Sequence, residues 1–308
     1  MERRLLEKPF ALLDIGVQGG IQTHWRALQP ALEVHGFDAL EEEIMALRSL
    51  AAPGHWYHAI ALGGTDEERD LHIPKVRCSA SLYRQGSSAY AVDSGVTKSE
   101  EIRRVQVRRL DTLHEQQIID RADFIKIDCE GAEPEILNGA PEFLARCGIL
   151  GAEIETSFNA SPILPDTHFC AIQRPLLRAG LVMQDLAFDR IPYASFDQRA
   201  RERGTAADQL KTRARPATFN VLFTRNPADW APKSADEVIK LAAIFELYGL
   251  NDSAYETLSR FRELLPQAID FREISDLLFL PSPSRGIKSF FRSCLAGIVP
   301  YCRMGDRE

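Results

Sequence analysis

Two carboxylates, Asp128 and Glu130, stand where an apolar run gives way to a turn in DFIKIDCEGAEPEILNGA (123–140). A carboxylate at the carboxyl end of a buried strand could orient a hydroxyl or amine, take its proton, or help to hold a metal. Lys126 alternates onto the same face as Asp128, so it can pair with that acid or contact a substrate. Pro134 opens a helix whose first turn carries Glu133 and Glu135, placed to favour its positive end. A second cluster lies near the amino terminus. There LLDIGVQGG (12–20) ends a strand at Asp14 and turns through Gly16, Gly19 and Gly20. Glycines let a backbone approach a ligand closely. The spacing D-x-G-x-x-G-G is not the dinucleotide pattern G-x-G-x-x-G. Asp38, in HGFDAL, follows the next apolar run. It suits the two hydroxyls of a ribose, and it equally suits the cap of a following helix. Glycine turn and acid together suggest an adenosyl ligand.

These residues need a scaffold that gathers strand ends. Apolar runs predict strands over 10–15, 32–37, 57–62, 123–128, 149–154, 181–186 and 218–223. Several are apolar almost throughout, as in a parallel sheet covered on both faces. Helices are expected over 20–30, 40–51, 110–120, 134–147 and 168–179. The alternation predicts an α/β doubly wound sheet, whose ligands bind at the strands' carboxyl ends. A long polar connection, 189–216, joins the last two strands and carries Arg190, Arg199, Arg201, Arg203, Lys211, Arg213 and Arg215. It reads as a solvated loop that could also meet an anionic glycan. After Asn226-Pro227 the pattern becomes helical, near 234–248, 252–264, 269–278 and 286–297. The expected division is a domain over 1–226 and a helical extension over 227–308.

The segment 123–140 resembles the FkbM family of S-adenosylmethionine-dependent methyltransferases, through D-F-[IL]-K-I-D-x-E-G-A-E-x-x-[IVL]-L-x-G-A. V-x-V-x-x-L-D-T-L at 105–113 and ILGAEIE at 149–155 are similar to the family's neighbouring segments, and the resemblance covers roughly 10–225. It implies a class I methyltransferase fold, Rossmann-like, with a seven-stranded sheet whose last strand is antiparallel. It also implies methyl transfer from S-adenosylmethionine, most often to a hydroxyl of a sugar, glycan or related metabolite. Carried over, the cofactor positions are Asp14, Gly16, Gln18, Gly20, Asp38, Ala39 and Asp128, with Asp128 and Glu130 as the catalytic pair. Glu153 or Glu155 could share that role or complete a divalent-metal site, although no metal is expected. The chain departs from D-x-G-A-N-x-G, with Val17-Gln18 inside the motif, and has Asp38 where Glu is more frequent. Gly19-Gly20 with Trp25 looks like a branch of the family. His24 reads as a local hydrogen-bonding partner. The same sheet could instead methylate a nitrogen or a carboxylate, or bind an adenosyl group without turnover.

Composition sets the outer limits. The 308 residues are 45% hydrophobic and 26% charged, which excludes a disordered or collagen-like chain. A net charge of −7 argues against broad nucleic-acid binding, since neutralising phosphates needs a basic excess. Six cysteines without CxxC spacing predict free thiols in a reducing compartment. The first residues lack a signal peptide's apolar stretch, so a cytoplasmic location is expected. The segment 285–303 mixes basic residues with Phe290, Phe291, Leu295, Ile298 and Val299. Docking on the core or a partner copy is expected there, with peripheral membrane contact as the alternative. Ser79 to Tyr83 are candidates for lining the acceptor pocket.

Overall fold

The computed structural model describes residues 8–84, 99–158, 169–191 and 214–267 continuously, and residues 199, 200, 202–204, 212, 271, 278 and 279 individually. The segment 285–303, the helix expected over 286–297 and most of that over 269–278 lie outside the described residues. So do Arg201, Lys211 and Arg213.

The described residues form ten strands: β1 (Phe10–Ile15), β2 (Leu32–Asp38), β3 (His55–Ala59), β4 (Ala61–Leu62), β5 (Glu67–Pro74), β6 (Ser99–Arg108), β7 (Phe124–Ile127), β8 (Gly151–Thr156), β9 (Val182–Ile191) and β10 (Arg215–Thr224). Seven of them make one sheet in the order β3-β2-β1-β7-β8-β10-β9. The pairs β1–β2, β2–β3, β1–β7 and β7–β8 are parallel, and β10 is antiparallel to both β8 and β9. The expected seven-stranded sheet with an antiparallel last strand is therefore present. Strands β1 and β7 are buried along their whole length, as runs that are apolar but for Asp14 and Lys126 suggest.

Three expectations are corrected. The run 57–62 breaks at Ile60: its first half joins the main sheet, and Ala61–Leu62 joins a separate sheet of order β4-β6-β5. The helix expected over 20–30 is a 3₁₀ helix at Thr23–Leu28. It buries Trp25 and Leu28, three residues apart, which matches the three-residue turn. The helix expected over 134–147 is two short helices, α3 (Glu133–Asn138) and α4 (Pro141–Arg146). Gly139 separates them, and a Cβ there would lie 2.4 Å from the Gly63 carbonyl oxygen. The tight approach of the second sheet thus selects glycine at the break.

The remaining helices are α1 (Glu41–Ser49), α2 (Leu110–Glu115), α5 (Phe169–Arg178), α6 (Ala235–Leu247) and α7 (Asn251–Arg260). Strand alternation divides the core in two. Leu13, Ile15, Ile125, Ile127 and Ile154 face α3, α4, α5 and the small sheet. Phe10, Leu12, Val34, Phe124 and Leu222 face Trp25, α6 and α7. Ser234 caps α6 by accepting the Glu237 N–H at 3.3 Å, and Glu237 reaches back to the Lys233 N–H at 2.7 Å. Eight consecutive residues of α6, Val238 to Phe245, are buried, including Lys240. That lysine is held by Asp123 at 2.9 Å and the Pro9 carbonyl oxygen at 3.0 Å. The polar connection 189–216 is shorter than its sequence suggests, because β9 extends to Ile191 and β10 begins at Arg215.

Candidate active site

Parallel pairing brings the ends of β1, β2 and β7 together, and with them most of the singled-out residues. Gly16 has φ +85°, and a Cβ on it would lie 1.9 Å from the Asp128 carbonyl oxygen. No side chain can be accommodated there, so glycine is what lets the two loops touch. Gly16, Gln18, Asp38, Ala39, Asp128 and Glu130 line one cleft. The cleft holds about 570 Å³ when its open mouth is counted. Its opposite wall is Ile60, Leu62, Leu71, Arg77, Ala80 and Leu82, from the small sheet, the chain joining it to β3 and the segment that follows β5. Of the 79–83 segment, Ala80 and Leu82 face the cleft.

Asp14 lies beneath the glycine turn and is fully buried. Burial, with help from Asp128 and Glu153, pushes its carboxyl up to about 6 against the opposing pull of Lys126. Gly20 lies off the cleft, with its Cβ position against Leu47 at 3.4 Å. Asp38 accepts the Leu40 N–H at 2.8 Å. It is therefore tied to the chain entering α1 while remaining on the cleft wall, although the capping position itself is Leu40.

Lys126 stands between two acids, 3.2 Å from Asp128 Oδ2 and 3.7 Å from Asp14 Oδ1. Burial pulls its pKa down, but the two carboxylates outweigh burial and hold it at about 12. Lys126 is thus a fixed cation. Register pairs Lys126 with Glu153 on β8, so the next same-face residues, Asp128 and Glu155, are also neighbours. Burial and then the Asp128 charge raise the Glu155 carboxyl, which favours its protonated form. Among the described residues, no group of three or more His, Cys, Asp or Glu is arranged to hold a metal ion.

Glu133 and Glu135 stand in the first turn of α3, as expected, and each also has a partner beyond the helix end. Glu133 accepts the backbone N–H groups of Cys129 at 2.8 Å and Gly131 at 3.2 Å, and so ties the turn that presents Asp128 and Glu130. Glu135 pairs with Arg69 at 2.6 Å and with the Tyr83 hydroxyl, fastening the small sheet to α3. Glu130 has φ 54°, and its carbonyl oxygen accepts the Ser81 hydroxyl at 2.8 Å. Only the chain's long-range pairing reveals these partners. His24 packs on Trp25 and Tyr248, with its Nε2 buried and without a hydrogen bond. The expected hydrogen-bonding role is thus not seen at that nitrogen. Cys78, Cys129, Cys147 and Cys170 are free thiols.

Residues 18–171, half of the chain, match the Methyltransferase FkbM domain. The chain belongs to the FkbM methyltransferase family. No curated protein matches it. Among solved structures it is similar to a putative S-adenosylmethionine-dependent methyltransferase from Listeria monocytogenes, at 11% identity and TM-score 0.36, covering 72% of this chain and 92% of that one. It is similar to another from Mesorhizobium loti, at 12% identity and TM-score 0.34, covering 72% and 93%. A third is magnesium protoporphyrin IX methyltransferase from Synechocystis with bound S-adenosylmethionine, at 11% identity and TM-score 0.33, covering 71% of each chain. The assignment rests on the family match and the sheet order. This FkbM protein is an S-adenosylmethionine-dependent methyltransferase with the class I fold. Its cleft fits that cofactor in two respects. An apolar wall faces Asp38 across a glycine turn, and the Asp14 Oδ1 acceptor is buried beneath that turn without a hydrogen-bond donor.

Proposed function

We propose that this enzyme methylates a hydroxyl oxygen of a sugar, glycan or related hydroxylated metabolite. The observation that carries this is the set Lys126, Asp128, Glu130 and Glu155 at the carboxyl ends of β7 and β8. S-adenosylmethionine supplies a methyl group already activated on a sulfonium. What the chain must add is alignment and a place for one proton. Asp38 and Ala39 would hold the ribose, Ile60, Leu62 and Leu82 the flat apolar end, and the turn at Gly16 and Gln18 the polar end. Asp128 takes the acceptor's hydroxyl proton on a carboxylate oxygen. Lys126, 3.2 Å away, pairs with that carboxylate and fixes its orientation. Glu155, retaining its proton, can donate to either Asp128 or the acceptor.

The acidity of the site also selects between chemistries. An acceptor carboxylate would meet Asp128 and Glu130 on the cleft wall, and neighbouring like charges disfavour it. A neutral hydroxyl meets no such penalty. The test uses labelled S-adenosylmethionine with a panel of neutral glycans and hydroxylated metabolites. Alkali-stable label is expected, as in a methyl ether, whereas alkali-labile label would indicate an ester and contradict the reading. Asp128→Asn should lower kcat by about 10²–10⁴-fold while S-adenosylhomocysteine binding is kept. Wild-type turnover in that variant would remove Asp128 as the base.

A further inference from the structure

The chain that leaves β5 after Pro74 returns to the same strand at Ser81. There the Ser81 and His72 backbones exchange hydrogen bonds, at 2.8 and 3.0 Å. Ser81 is buried, and its hydroxyl accepts the Tyr83 N–H at 3.0 Å while donating to the Glu130 carbonyl at 2.8 Å. The base of this excursion is thus fixed both to β5 and to the turn that carries Asp128. Its tip is a 3₁₀ turn over Arg77–Ser79. Arg77, Cys78 and Ala80 line the cofactor cleft along the way.

The tip is fastened differently. From one wall of the cleft, the Arg77 guanidinium pairs with Glu42, in the first turn of the helix that continues the facing wall from Asp38, Ala39 and Leu40. Arg103 of β6 shares the Glu42 carboxylate at 2.9 Å and holds Glu101 at 2.7 Å, and Arg77 lies 4.0 Å from Glu101. Two cations and two anions therefore alternate in a ring that joins the small sheet to α1. Their side chains are 36–46% exposed, and ion pairs this open to water are weak. A cofactor consumed at each turnover must enter and leave, so some part of its enclosure must open. The buried hydrogen bonds at Ser81 are the firmer fastening, and the charged tip is the one that gives way. We infer that Arg77–Ser81 form a strap across the adenosyl cofactor, latched to α1 through Arg77 and Glu42, and that opening this latch controls cofactor exchange. The inference rests on the S-adenosylmethionine reading of the cleft.

Release of labelled S-adenosylhomocysteine into an excess of unlabelled ligand tests it, alongside thermal unfolding of the unliganded protein. Wild-type release should quicken about threefold between about 0.1 M and 1 M salt, as the screening length falls from about 10 Å to about 3 Å. Arg77→Gln and Glu42→Gln should each quicken release about three- to fivefold at low salt. Both should lose most of the salt response, with little change in melting temperature. Arg77→Lys keeps the charge and should keep most of the hold. The double variant Arg77→Gln/Glu42→Gln should release no faster than Glu42→Gln alone, whereas independent surface effects would multiply. Unaltered release in Arg77→Gln, or multiplied effects in the double variant, would overturn the strap and leave the cofactor site standing. Absence of binding by the wild type would overturn both.

Discussion

At the scale of single residues, the site depends on two close approaches that tolerate no change. The first is Gly16 against the Asp128 carbonyl. Gly16→Ala would force a methyl group to 1.9 Å from that oxygen at a φ of +85°, so the β1 and β7 loops must separate. Strain of this kind costs about 1–3 kcal/mol for the backbone alone, and the clash adds to it. A lowered melting temperature together with lost S-adenosylhomocysteine binding is the expected outcome, and unchanged binding would show that the turn does not shape the cleft. The second is the Lys126 bridge between Asp14 and Asp128. Sequence alone brought Asp128, Glu130, Gly16 and Asp38 to one crevice, because each follows a recognisable apolar run. It was silent on Asp14 lying beneath the turn and on Gly20 facing α1. Which side of a glycine turn meets ligand depends on φ angles that residue types do not specify.

At the scale of elements, the turn between β7 and α3 is fixed by Glu133, whose carboxyl accepts two backbone N–H groups. Burial first, against the lowering effect of those N–H groups, raises it from 4.5 to about 7. A carboxyl raised in this way favours its neutral form in the fold. Its stabilising contribution is complete below about pH 4.5 and is lost as pH rises through 7. Glu133→Gln mimics the neutral form and lacks that dependence. The unfolding free energy of wild type relative to Glu133→Gln should therefore fall by up to about 3 kcal/mol between pH 4 and pH 8. Denaturant titrations across that range check it, and parallel curves would contradict it. The central strands were legible in the sequence because burial on both faces demands unbroken apolar runs. The small sheet was not. Charged residues make up half of EERDLHIP and of SEEIRRVQVR, since β5 and β6 have few buried positions and pair through Arg104–Asp70 and Gln106–Glu68 at the surface. Such strands read as loops until their partner is known.

At the scale of the whole molecule, the C-terminal helices belong to the face of the sheet that carries Phe10, Leu12 and Phe124. Their change of pattern after Pro227 marked a helical extension, and nothing local in the sequence announces the contacts that join it to the sheet. Lys240 reaches Asp123 and the Pro9 carbonyl across more than a hundred residues, so it reads in sequence as one more helical lysine. Lys240→Met would leave Asp123 with Arg121 at 3.4 Å and the Ala11 N–H at 2.7 Å. Removing one partner of a buried pair costs about 3–5 kcal/mol, and those remaining contacts place this case at the lower end. Pairing it with Asp123→Asn should restore part of the loss. Additive effects in that double-mutant cycle would show that the ion pair does not couple α6 to the sheet.

The central claim is that the cleft between the glycine turn, Asp38 and the small sheet holds the adenosyl cofactor. The most direct measurement is calorimetric titration of the wild-type protein and of Asp38→Ala with S-adenosylhomocysteine. Micromolar binding by the wild type, about −8 kcal/mol, weakened at least tenfold by the substitution, is the predicted result. Equal affinity in the two proteins would place the ligand elsewhere, and no binding by the wild type would contradict the account at its base.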